Sequence, residues 1–154
     1  MKFALALIIL ALTAPTAAAN RYHHIATTSL VPLPPGLIVI HEANCLGGVD
    51  PWSCYFDGTI WLTAEHAGNA PVFLHELGHA YDERVLKPRH RRLFMRWAGI
   101  RQGWTAVGSE FFASAYSLCA RHRSLPEHPD TQYGWAPTQA LHDKSCWLIR
   151  RAAR

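Results

Sequence analysis

The sequence has no C-x-x-C pair, no internal repeat and, outside its first nineteen residues, no low-complexity tract. These absences remove redox dithiols, zinc ribbons and solenoids from the functional classes in play. Charge is also scarce, at 17% of 154 residues, against 49% hydrophobic and 11% aromatic content. That balance excludes disordered, collagenous and coiled-coil chains. No apolar run is long enough to span a bilayer, since the stretch Phe3 to Leu12 falls short of the roughly 18 residues required. Instead, Lys2, this short run and the small residues Ala17-Ala18-Ala19 have the layout of a secretory signal peptide. Residues 1–19 are therefore expected to be removed, leaving residues 20–154 as a single domain of 135 residues with a formal charge of +3. No cysteine follows the cleavage point, so a lipid anchor is not expected, nor any membrane anchor after cleavage. The expected location is secreted or periplasmic.

Lys and Arg concentrate in Arg84 to Arg101 and in the tail Arg150, Arg151 and Arg154. Aromatic interleaving of the kind a nucleic-acid surface uses is missing, so these runs read as solvated helix faces and no nucleic-acid partner is expected. An oxidising compartment should pair the four cysteines. Proximity favours Cys45 with Cys54, closing a Gly-rich loop, and Cys119 with Cys146, tying two C-terminal helices together.

Along the expected mature chain, Asn20 to Gly36 is polar and then proline-rich and reads as an extended lead-in. Leu37 to Ile40 reads as a strand, Cys45 to Cys54 as a loop, and Thr59 to Thr63, after the Asp57-Gly58 turn signal, as a second strand. The second half is helical. Asn69 and Pro71 open a helix that Pro88 stops. Leu93 to Ile100 is a second candidate helix, Ser109 to His122 a third with a broad apolar face, and Pro137 opens the last. The expected fold class is α+β, with a small twisted sheet packed on the first helix and a mainly helical C-terminal half.

That first helix carries His75-Glu76-Leu77-Gly78-His79, an HExxH pattern. Residues i and i+4 lie one above the other on a helix, so both imidazoles reach one Zn²⁺, while Glu76 points about 100° around and can hydrogen-bond the metal-bound water. Zinc lowers the pKa of that water and polarises a carbonyl, and the glutamate moves the proton. Five residues are few enough to match by chance, so context matters: the helix is capped, bounded by proline and preceded by a strand. Gly78, which weakens a helix by about 1 kcal/mol relative to alanine, points to another element approaching closely there.

A catalytic zinc takes a third protein ligand. Glu110 is the best candidate, because Ala113, Ser114 and Ser117 keep its helix face small enough to lie against the His75 helix. Asp82 and Glu83 compete, but both lie on the helix that already supplies the histidines. Asp82, three residues past His79, better suits holding that imidazole's other N–H. His41 and His66 lack supporting spacing and read as surface or structural. Thr59 to Thr63 reads either as an exposed edge strand that pairs with an extended substrate or as an internal strand.

The pair of segments His75-Glu76-Leu77-Gly78-His79-Ala80-Tyr81-Asp82 and Glu110-Phe111-Phe112-Ala113-Ser114-Ala115-Tyr116 resembles the gluzincin metallopeptidases. The likeness is to the group of the anthrax toxin lethal factor catalytic domain and the secreted Pro-Pro endopeptidases, and it covers about residues 72–118. The resemblance implies a zincin-like fold, zinc on His75, His79 and Glu110, and Glu76 as general base. That family places a tyrosine two helical turns before the ligand glutamate, where this chain reads Arg101-Gln102-Gly103-Trp104-Thr105-Ala106. The oxyanion donor is then expected elsewhere, with Tyr133 first, then His128 and Tyr116. The function expected is that of a monomeric zinc endopeptidase acting on peptides or proteins. Two alternatives stay open: a secreted zinc-binding protein without catalysis, motivated by the missing tyrosine, and a disulfide-stapled cationic binding module.

Overall fold

The computed structural model describes residues 16–49, 51–131 and 135–154, and among these the fold is mixed α+β, with five α-helices and a three-stranded sheet. The chain begins with helix α1 (Thr16–Thr27). Ala18, Tyr22 and Ala26, spaced four apart, form its buried stripe. The Tyr22 hydroxyl donates to Glu42 Oε1 (2.8 Å) and accepts from Gly68 N (3.0 Å). Thr27 and Thr28 turn their hydroxyls back onto helical carbonyls and the helix ends. The extended lead-in expected over Asn20 to Gly36 is thus helical for its first half. Its apolar stripe is diluted by Arg21, His23 and His24, and burial of Tyr22 outweighs the weak local pattern. The expected cleavage point after Ala19 falls inside α1, with Tyr22 and Ala26 on its C-terminal side.

The sheet comprises β1 (Val39–His41), β2 (Cys54–Phe56) and β3 (Thr59–Trp61) in the order β1-β3-β2. β1 runs parallel and β2 antiparallel to β3. Asp57 and Gly58, both at positive φ, make the two-residue turn of the β2–β3 hairpin, the geometry that an Asp-Gly pair favours. β3 is therefore the central strand, which corrects the edge-strand reading of Thr59 to Thr63. The edges are β1 and β2, the latter hidden in the sequence behind a cysteine loop. A disulfide from Cys45 to Cys54 ties the 3₁₀ turn Cys45–Gly47 to the start of β2.

Helix α2 (Ala70–Val85) starts where the Asn69 side chain accepts from Val72 N (3.2 Å), with Pro71 in its first turn. Pro88 then has two roles. It ends the preceding helix and, with no N–H to leave unpaired, opens α3 (Pro88–Ala98), so α3 starts one and a half turns before the expected Leu93. Gly99, at φ 71°, stops it. Helix α4 (Ala106–Arg121) and helix α5 (Gln139–Ala152, capped by Thr138) complete the chain and are joined by the Cys119–Cys146 disulfide. Phe94, Phe112, Tyr81, Trp104 and Trp135 stack edge and face in the core that α2, α3 and α4 share.

Helix α2 lies close against α4. A Cβ on Gly78 would stand 2.7 Å from Ala113 Cα and 3.0 Å from its carbonyl oxygen. Both contacts are with backbone, which cannot swing away. Ser117 Oγ donates to Pro71 O (2.8 Å) across the same seam. Gly78→Ala should therefore destabilise the protein by about 1–3 kcal/mol through overpacking, although alanine is the better helix former by about 1 kcal/mol. The denaturation midpoint decides it: an unchanged or raised midpoint would show that the helices do not meet there.

Candidate metal centre

The close seam at Gly78 brings Glu110, on α4, over the two histidines of α2. Glu110 Oε2 lies 2.9 Å from His75 Nε2 and 3.3 Å from His79 Nε2. The outer nitrogens are held from behind. His75 Nδ1 is 3.3 Å from Ser114 Oγ, and His79 Nδ1 is 3.1 Å from Ser109 Oγ. The Ser109 hydroxyl donates in turn to Asp82 Oδ2 (3.3 Å), so the His79 Nδ1 proton is the one that completes the chain.

Asp82 is nearly buried and heavily engaged. Arg91 Nε donates to Oδ1 (2.7 Å), Trp104 Nε1 to Oδ2 (3.0 Å), and Arg91 Nη2 to the Asp82 carbonyl (3.0 Å). The support expected from Asp82 thus reaches His79 through Ser109 rather than directly. Ser109, Ser114, Arg91 and Trp104 escape a reading of sequence alone, because each acts from a different turn or helix. Ser114 was legible as a small residue on the Glu110 face, but not as a partner of His75.

Both imidazoles aim Nε2 at the same carboxylate oxygen: protonated there they donate to it, and protonated at Nδ1 they turn lone pairs on it. Lone pairs and an anionic oxygen at these separations repel unless a cation lies between them. The donor set, two imidazole nitrogens and one carboxylate, is that of a zinc site. Its spacing also fits, because ligands about 2.1 Å from a tetrahedral zinc lie roughly 3.4 Å apart, and here the three donor atoms are all within 4.8 Å of one another. Cys119, His142 and Cys146 form a second cluster of donor types. Both its cysteines are in the disulfide, so no thiolate is on offer there.

Electrostatics reflect the crowding. Burial pushes the His75 imidazole down, with Glu110 pulling the other way. Burial also works against a charged His79, but the Glu110 hydrogen bond and the carboxylates of Glu110, Glu76 and Asp82 carry it upward. Burial alone would raise Glu110, yet hydrogen bonds from both histidines and their charge hold it at about 2. Glu76, only 4% exposed, is pushed by burial up to about 7, against the pull of His79 and a hydrogen bond from the Tyr55 backbone.

His75, Glu76, His79, Asp82, Ser109 and Glu110 line an open cleft of about 460 Å³ whose opposite wall is Ser53, Cys54 and Tyr55 at the sheet edge. His66, read from sequence as surface or structural, accompanies Asp130 in an adjoining cavity of about 260 Å³ that also reaches His75. Its Nδ1 is 2.9 Å from Ser53 Oγ. Tyr133 lies outside the described residues. Tyr116 is buried with its hydroxyl on Pro32 O (2.9 Å), away from the cleft, and His128 is exposed in the segment between α4 and α5. Comparison with protein-family models, curated proteins and solved structures found no match to this chain.

Zinc titration should find one site per chain. Ser109→Ala should weaken it about 10–100-fold with the helical content unchanged, and Glu110→Ala should weaken it further. Equal zinc affinity in Ser109→Ala and the parent would show that the Ser109–Asp82 chain does not orient His79.

Proposed function

We propose that the protein is a zinc-dependent peptidase of gluzincin type with a zincin-like fold, working outside the cytoplasm. One observation carries the reading: His75, His79 and Glu110 converge on a single point in a cleft that also holds the carboxylate of Glu76. His75 Nε2, His79 Nε2 and Glu110 Oε2 would hold the zinc, with both outer imidazole nitrogens fixed by serines. Bound there, zinc would supply the Lewis acidity that activates water and polarises the scissile carbonyl.

The remaining chemistry belongs to the chain. The Glu76 carboxylate takes the proton of the attacking water and returns it to the leaving amine. Burial raises its proton affinity, the direction that a group which both accepts and donates a proton needs. The carboxylate shares the cleft with Tyr55 of the sheet edge. β2 has β3 on one side and, among the described residues, no strand on the other. An extended peptide laid along that side would add a strand through main-chain hydrogen bonds, which suits hydrolysis of polypeptides. The Cys45–Cys54 disulfide braces the same edge. Together with the short apolar N-terminal run and the second disulfide, it supports a secreted or periplasmic location. Among the described residues no helix is long and apolar enough to cross a membrane.

A second reading, zinc binding without catalysis, is favoured by the tyrosines. Four of the five have hydroxyls hydrogen-bonded to other groups: Tyr22 with Glu42, Tyr55 with Gly58, Tyr81 with Ile149, and Tyr116 with Pro32. Of these, Tyr55 lines the cleft itself, and Tyr133 remains the donor expected from the sequence.

Glu76→Gln should keep stoichiometric zinc and lose cleavage of a random peptide pool, read by mass spectrometry. Cleavage retained in that variant would rule out the mechanism, and a zinc-loaded parent inert on the whole pool would favour the non-catalytic reading. Tyr133→Phe should lower kcat by about 10²–10³ with little change in KM if its hydroxyl serves the oxyanion; equal kcat removes it.

A further inference from the structure

The two arginine-rich stretches, which read in sequence as separate solvated faces, meet in space. Arg89, Arg92 and Arg96 recur at helical spacing along one side of α3, and Trp147, Arg151 and Arg154 along one side of α5 and its end. The two rows line a groove of about 660 Å³. Among the described residues none of these five arginines has a carboxylate within ion-pair distance, and no acidic side chain lines the groove. Arg91, on another side of α3, shows the contrast by closing on Asp82.

Five guanidinium groups held in one cleft repel each other, in a chain whose formal charge is only +4. An anionic ligand with several closely spaced phosphates would relieve that repulsion, and guanidinium forks match phosphate oxygens in pairs. Trp147 narrows the choice of ligand. Its indole is 54% exposed in the groove wall and is braced edge-on by Trp97, with ring centroids 6.2 Å apart. A soluble phosphate has no use for such an apolar ring, whereas indoles settle at the headgroup level of a bilayer. A row of cations flanked by tryptophan is the surface chemistry of peripheral binding to anionic lipid.

We propose that the groove between α3 and α5 is a docking surface for an anionic phospholipid bilayer, with headgroup phosphates between the two arginine rows and Trp147 in the headgroup layer. This attachment is peripheral and independent of the metal centre.

Co-sedimentation with vesicles tests it. The protein should bind vesicles of phosphatidylcholine mixed with phosphatidylglycerol, ignore pure phosphatidylcholine, and release as salt rises. Each neutralised arginine should weaken binding about fivefold, so Arg92→Gln with Arg96→Gln should lose roughly 25-fold. Trp147→Ser should weaken binding at unchanged charge, and Trp147→Phe should restore part of it. All three variants sit at exposed positions, and parent-like thermal unfolding is the check that they fold. No binding to the phosphatidylglycerol vesicles would overturn the proposal, as would parent-like binding by the double arginine variant. It would also fall if inositol hexakisphosphate bound the groove in an arginine-dependent way while vesicles were ignored, because the ligand would then be a soluble polyanion.

Discussion

The proposed metal centre depends on how closely α4 lies against α2. Glu110 reaches two imidazoles on another helix only because Gly78 has no side chain and Ala113 presents bare backbone to it. A methyl group at the seam would press the helices apart near the centre, where three donor atoms must converge. Ser114 and Ser117, on the same face of α4, fill the remaining space with hydroxyls that bond back to α2. The small residues thus set the spacing and satisfy polar groups in the same contact. The Cys119–Cys146 disulfide and the Tyr81 hydroxyl on the Ile149 carbonyl hold α5 behind this pair.

Burying two histidines and three carboxylates within one small region costs free energy unless every charge is answered. The answers run outward in order. Glu110 faces both imidazoles, Ser109 carries His79 to Asp82, and Asp82 takes Arg91 and Trp104. The chain ends at Arg91, which is partly exposed, so the last charge is shared with solvent. Among the described residues Glu76 makes no ion pair, and burial raises its proton affinity, which leaves its carboxylate able to take and give a proton. The network therefore separates a rigid ligand set from one titratable group.

Much of this was legible in the residues. The four-residue spacing of His75 and His79, the cap at Asn69 and the small face below Glu110 each state a geometry that short-range helix periodicity fixes. Both disulfide pairings followed from proximity. What could not be read was set by contacts between distant segments. α1 owes its place to Tyr22 meeting Glu42 and Gly68, and β2 is three residues long and recognisable only by its pairing with β3. Asp82 lies four residues beyond Gly78 and points toward His79 by spacing, yet the intervening Ser109 arrives from α4. The arginine groove joins stretches about fifty residues apart, and nothing in either stretch names the other.

The two donor clusters among the described residues offer a direct test of the central claim that zinc belongs to His75, His79 and Glu110. X-ray absorption at the zinc edge of the loaded, oxidised protein measures the ligand types themselves. The account predicts nitrogen and oxygen scatterers at about 2.0–2.2 Å with imidazole character, and a changed shell in Glu110→Gln. Sulfur scattering at about 2.3 Å would place the metal at Cys119, His142 and Cys146 instead and contradict it, as would a spectrum that Glu110→Gln leaves unaltered.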